Sequence, residues 1–244
     1  MSEEHFLIGT SGWSYNHWKG LFYPEKLPKK QWLGYYANQF KTVEVNATFY
    51  GWFKEKTIIN WREQTPPGFW FVLKAPRLIT HRRHLLDSDE TIKEFERLTS
   101  FLEPKLSLIL LQIAPDTPYD PPRLQHALST FEDPTKVAVE FRSEQWEKPE
   151  IIKILKEIGA VYCNPDSPRK VLSGLLTSDI GYLRLHGRRR WYSYDYSGDE
   201  LLQIADLGKD MIDQGAKQVF FFFNNDFGGF APKNAATLAK ILSE

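Results

Sequence analysis

Eight short apolar runs punctuate the chain, at residues 7–9, 42–46, 69–74, 107–112, 136–140, 160–162, 181–185 and 218–223, and each breaks off into polar or turn-forming residues. Their lengths suit strands, and stretches of helical periodicity fill most of the intervals. Helices are predicted over 31–39, 55–64, 89–101, 149–158, 199–214 and 231–242. Ser88 is a candidate N-cap, with Asp89 and Glu90 favourably placed in the first turn. Pro149 suits a first helical position, and Gly159 and Gly215 suit left-handed ends.

Strands separated by crossovers of a dozen or more residues pair in parallel. Eight such units predict an α/β, single-domain TIM-barrel-like (β/α) barrel over residues 1–244. Irregularity is expected around strands 4–5 and 6–7. The segment 121–131 is short, and 164–180 carries Pro165, Pro168 and Gly174, leaving little room for a full helix. The competing architecture is an open doubly wound sheet with its site at one switch point.

Strand parity sharpens the prediction. Side chains alternate between faces, so Glu44 shares a face with Asn46, Glu140 with Arg142, and Arg184 with His186. Val43, Val45, Val139, Phe141, Leu183 and Leu185 then face the helices. Unpaired charge is too costly on a helix-packed face, which assigns the polar pairs to the barrel interior near its carboxyl rim.

Composition narrows the functional classes. The chain has 244 residues with 31 basic and 31 acidic side chains, so no global field favours nucleic acid or an anionic membrane. Its one cysteine, Cys163, allows no internal disulfide, in keeping with a reducing compartment. Residues 1–7, with Glu3 and Glu4, lack the features of a secretory leader, and no uncharged run approaches the ~18 residues of a membrane span. A cytoplasmic, membrane-free protein is expected.

The candidate site follows from the strand ends. Glu140, Glu44 and His186 are the candidate acid/base residues, and Lys74, Arg142, Arg184, Asn46, Arg77, His81 and Asn224 the candidate ligand-binding ones. Trp13 and Tyr50 are placed to stack on a ring, with Trp191 an alternative. The expected partner is a small anionic or sugar-like ligand. The bland alternative is a self-neutralising network, in which Glu140 pairs with Arg142 or Arg184 and Glu44 with Lys74. The turn from Gly9 to Tyr15 offers either an amide cradle for an oxyanion or merely a tight turn.

Other chemistries are less well supplied. Glu44, Glu140 and His186 are the one set that suits a metal, as in an assisted phosphodiesterase, but the adjacent arginines oppose it, and neither a metal nor a cofactor is expected. A glycosidase needs two carboxyl groups about 5–5.5 or 6.5–9.5 Å apart. Nucleic-acid binding rests only on the basic-aromatic segment from His186 to Tyr192. A non-catalytic ligand sensor would use the same pocket.

Several motifs resemble the domain of unknown function 72 family, the YecE-like proteins. They are Gly9-Thr10-Ser11-Gly12-Trp13-Ser14-Tyr15, Val43-Glu44-Val45-Asn46, Lys74-Ala75-Pro76-Arg77 with Thr80-His81, Val139-Glu140-Phe141-Arg142, Tyr182-Leu183-Arg184-Leu185-His186-Gly187, and Asn224-Asn225. The resemblance covers nearly the whole chain. It implies a TIM-barrel-like fold and carries no established activity.

Overall fold

The computed structural model describes residues 5–243, so the reading of the first four residues lies outside it. Eight parallel strands close in chain order into a barrel. They are β1 (Phe6–Ser11), β2 (Thr42–Val45), β3 (Trp70–Lys74), β4 (Leu106–Ile113), β5 (Val137–Phe141), β6 (Val161–Asp166), β7 (Ile180–Leu185) and β8 (Gln218–Phe223). Closure is direct: Gly9 of β1 registers with Thr42 on one side and Phe222 of β8 on the other. An open sheet is thereby excluded.

Among the described residues eight α-helices accompany the strands: α1 (Trp32–Ala37), α2 (Ala47–Tyr50), α3 (Glu55–Glu63), α4 (Asp89–Thr99), α5 (Pro121–Thr130), α6 (Pro149–Ile158), α7 (Gly198–Asp213) and α8 (Phe230–Ser243). None is long and apolar enough to cross a membrane. The crossover between β4 and β5 is more regular than the sequence suggests. Asp120 accepts a hydrogen bond from the Arg123 amide at 3.0 Å, and prolines occupy the first turn of α5, so a ten-residue helix starts cleanly.

The crossover between β6 and β7 is irregular as expected. In place of a helix, the Asn164 side chain holds the loop: its Oδ1 accepts from the Leu175 amide and Ser173 hydroxyl, and its Nδ2 donates to the Leu175 carbonyl. Ser88 does not cap α4; its hydroxyl donates to the Leu86 carbonyl instead. A full capping box stands at α7, where Ser197 and Glu200 satisfy each other's amides.

Parity sorts the strands as predicted. Val43, Val45, Val139, Phe141, Leu183 and Leu185 belong to the outer core under the helices. Inside the barrel a second core contains Val72, Leu110, Ala138, Tyr182 and Phe222. Two residues further along each of those five chain segments stand Lys74, Gln112, Glu140, Arg184 and Asn224. The apolar floor thus gives way to a polar layer at the carboxyl end, on the same inward face.

Candidate functional site

At the centre of that layer Arg184 is 1% exposed, and Glu44 and Glu140 are fully buried. Arg184 Nε and Nη2 donate to the Glu44 carboxylate at 2.9 and 2.7 Å. Its Nη1 donates to Glu140 Oε2. Ser11 Oγ and the Tyr182 hydroxyl also donate to Glu44, at 2.7 and 2.6 Å. Glu44 is fully engaged, and the guanidinium fills the space between the two carboxylates.

Glu140 is hydrogen-bonded through one oxygen only. Oε2 accepts from Arg184 and, at 3.1 Å, from Gln112 Nε2. Oε1 has Arg142 Nε at 2.5 Å, a contact ion pair not aligned as a hydrogen bond, and His186 Nε2 at 3.7 Å. This buried oxygen has no hydrogen-bond donor among the described residues. Above it lies a cleft of ≈ 420 Å³, bordered by His81, Gln112, Glu140, Arg142, Lys170 and Trp191.

Lys74 stands behind the cleft wall, against Gln112, which borders it. Its Nζ donates to Gln112 Oε1 at 2.9 Å and sits 3.8 Å from the centre of the Phe49 ring. His81 packs edge-on to Phe49, 4.8 Å away. His186 is held between Asn224 Nδ2, 3.0 Å from its Nδ1, and Arg142 Nη2, 3.4 Å from its Nε2. Trp191 covers the Arg142 guanidinium at 5.4 Å and the His186 ring at 5.5 Å.

The protonation states follow from burial and charge. Burial raises both glutamates, but Arg184 for Glu44, and Arg142 with Arg184 for Glu140, reverse this and hold them below the usual carboxylate range. Both are therefore carboxylates at neutral pH and carry no proton to donate. Burial, assisted by Arg184's charge, lowers the Lys74 amine to about 7. Burial lowers His186 to about 4, and burial together with Lys74's charge does the same to His81.

Other sequence candidates lie elsewhere. The Trp13 indole packs edge-on against Trp61 of α3. Tyr50 is 74% exposed at the end of α2, and Arg77 is exposed before the turn Leu78–Arg82. Asn46 follows β2 half-buried, and its enclosed Oδ1 has no hydrogen-bond partner among the described residues. Two amides of the segment from Gly9 to Tyr15 are already committed, that of Gly12 to the Glu44 carbonyl at 2.7 Å and that of Thr10 to the Tyr36 hydroxyl at 2.9 Å. In the segment 186–192, Arg188 is drawn to Asp166 and Gln203, while Arg189 and Arg190 stay exposed.

The expected pairing of Glu44 with Lys74 is not formed, because Arg184 occupies both Glu44 oxygens. Arg184 is likewise too enclosed to meet a ligand. Among the described residues no cluster of three or more His, Cys, Asp or Glu is arranged around a metal site. A glycosidase arrangement is disfavoured because Arg184 stands where a sugar would lie between Glu44 and Glu140. Gln112, a polar residue at the end of β4, joins the site, and Tyr182 is the partner that residue-type reasoning passed over; it was detectable as the inward position two residues before Arg184.

The family model described as "Protein of unknown function DUF72" matches residues 7–244. The UPF0759 protein YunF of Bacillus subtilis is 27% identical over 270 residues, covering 96% of this chain and 94% of YunF. The UPF0759 protein YecE of Escherichia coli K12 is 33% identical over 140 residues, 57% of this chain and 49% of YecE. A crystal structure of a DUF72 family protein from Thermotoga maritima is 30% identical, with a TM-score of 0.89, covering 98% of this chain and all of that one. A DUF72 family protein from Enterococcus faecalis, 23% identical with a TM-score of 0.81, shares the fold over the full length of both chains.

Proposed function

The chain belongs to the DUF72 family, whose name assigns no activity, and from its site we propose that it binds a small phosphorylated or hydroxylated ligand in the cleft and acts on it by proton transfer. The observation that supports this best is Glu140 Oε1. A fully buried carboxylate oxygen with no hydrogen-bond donor, bordering a cleft, is completed by a donor from a ligand. A ligand hydroxyl supplies that donor. Arg142, whose side chain is 19% exposed, then offers its fork of N–H groups to the ligand's anionic group.

Glu44 and Arg184 are positioning residues in this scheme. They fix Glu140 Oε2 from behind and leave Oε1, ion-paired to Arg142 without an aligned hydrogen bond, on the cleft side. His186, neutral at physiological pH, is the proton relay beside Glu140. A cytoplasmic location belongs to the same proposal, since a small anionic metabolite is its natural ligand.

A thermal-shift panel of inorganic phosphate, sugar phosphates, nucleotides and neutral sugars tests the proposal on wild type and Arg142→Ala. A ligand at 100 times its dissociation constant adds about 2.7 kcal/mol to stability. The expected outcome is a shift for one phosphorylated class that is lost in Arg142→Ala. A flat response throughout, with Arg142→Ala destabilised, would assign the charges to a self-neutralising network.

A further inference from the structure

We propose that Lys74 is an amine nucleophile that forms an imine with the carbonyl carbon of a small hydroxylated or phosphorylated aldehyde or ketone. The inference rests on the ligand cleft proposed above and names the substrate class for it.

Lys74 closes β3 on the inward face, two residues beyond Val72, and is 8% exposed. Its surroundings differ from those of its cationic neighbours. Arg142 and Arg184 each contact a carboxylate, whereas no carboxylate among the described residues lies within 4.0 Å of Lys74 Nζ. Its single hydrogen-bond partner among the described residues is the Gln112 carbonyl oxygen. That amide is oriented from the far side, because Gln112 Nε2 donates to Glu140 Oε2. A neutral amine donates one N–H to such an acceptor and keeps its lone pair available.

The Phe49 ring beneath Nζ excludes water from that side. The cleft begins beyond Gln112 and His81, which border it, and a carbonyl ligand would reach Nζ past these two side chains. A desolvated lysine without a counter-ion is the form in which this side chain attacks carbonyl carbon. Burial's lowering of the amine to about 7 makes its uncharged form accessible near neutral pH.

The step balances without any co-reactant. The Lys74 nitrogen lone pair bonds to the carbonyl carbon, and the π electrons move to oxygen, giving a carbinolamine after proton transfer. The C–O bond then breaks, the nitrogen lone pair forms C=N, and the oxygen departs as water with both amine protons. In the ligand, the phosphate or a hydroxyl would be held by Arg142 and Glu140 Oε1.

Reductive trapping tests this directly. The protein is incubated at pH 7 with glyceraldehyde 3-phosphate, dihydroxyacetone phosphate or glycolaldehyde and sodium cyanoborohydride, whose hydride adds to the imine carbon to leave a stable secondary amine. Peptide mapping by mass spectrometry locates the adduct. Lys74 is expected to be modified at least about tenfold faster than exposed lysines such as Lys29 and Lys153. Lys74→Arg, with its fold verified by circular dichroism, should lose the fast phase alone. Adducts spread over the surface lysines without preference for Lys74 would overturn the inference, and the wild-type map alone decides this. A phosphate-dependent thermal shift without a Lys74 adduct overturns the imine and leaves the anion cleft standing. A Lys74 adduct with glycolaldehyde that is insensitive to phosphate and to Arg142→Ala supports the amine and overturns anion binding.

Discussion

Arg184 on β7 and Glu44 on β2 face each other across the barrel, and one guanidinium edge engages both carboxylate oxygens, with Nε 2.9 Å from Oε2 and Nη2 2.7 Å from Oε1. The other arm of Arg184 reaches Glu140 on β5, so one side chain ties three strands together at the level where the apolar interior ends. Both charges of the Arg184–Glu44 pair are withdrawn from water and saturated, which makes the pair a support for Glu140 and leaves Glu140 as the carboxylate with something to offer.

Removing Arg184 should therefore be severe. Arg184→Met strands two buried carboxylates, and loss of one partner from such a pair costs about 3–5 kcal/mol. Urea unfolding should show a midpoint reduced accordingly, with partial recovery when Glu44→Gln removes the orphaned charge as well. An Arg184→Met protein of wild-type stability would contradict the assigned network.

Arg142→Ala should behave differently. The side chain is partly exposed, and Glu140 keeps Arg184 and Gln112 as partners, so a loss of about 1–2 kcal/mol is expected. The same urea series measures it, and a loss as large as that of Arg184→Met would make Arg142 structural.

Acid should weaken the protein in two stages. His186 is lowered from 6.5 to about 4, so between those values the unfolded chain binds a proton that the folded one refuses. The contribution of His186 is complete above pH 6.5 and is lost as pH drops toward 4, by up to roughly 3 kcal/mol for a fully buried group, with the half-buried His81 adding to the loss in the same window. Below that, Glu44 and Glu140, held under the usual carboxylate range, lose their contribution as pH falls through their folded values. Urea midpoints at pH 7, 5.5 and 4 should decline, and His186→Asn should flatten the upper part of the curve.

Gly9→Ala probes the barrel seam. A Cβ at Gly9 would lie 2.1 Å from the Thr42 carbonyl oxygen, a backbone atom held by the β1–β2 pairing. Such overpacking costs at least about 2 kcal/mol here, because neither strand can yield. Wild-type thermal stability in Gly9→Ala would mean that the register around Gly9 is wrong.

The barrel was legible because every strand is short, apolar on its outer face and bounded by polar residues. The polar layer was legible for the same reason, since Glu140/Arg142 and Arg184/His186 keep their parity to the end of their strands. Their partners were not. Glu44 was expected to meet Lys74 but meets Arg184, because which inward side chains touch across a barrel depends on strand stagger and side-chain length, neither of which is written along one strand. The extension of β6 through Asn164, Pro165 and Asp166 was hidden for a related reason: above the apolar floor a strand has no apolar signature. Asn46 leaves the strand pattern because α2 begins directly after it.

The central claim is that Glu140 and Arg142 form a ligand-binding edge and Arg184 its internal support. Titration calorimetry of the phosphorylated compound giving the largest thermal shift, into wild type and Arg142→Ala at pH 7, tests it most directly. The account predicts saturable one-site binding that weakens at least about 30-fold in Arg142→Ala, the loss of about 2 kcal/mol expected of a charged hydrogen bond. Equal affinity in the two proteins, or no heat from either, would contradict it.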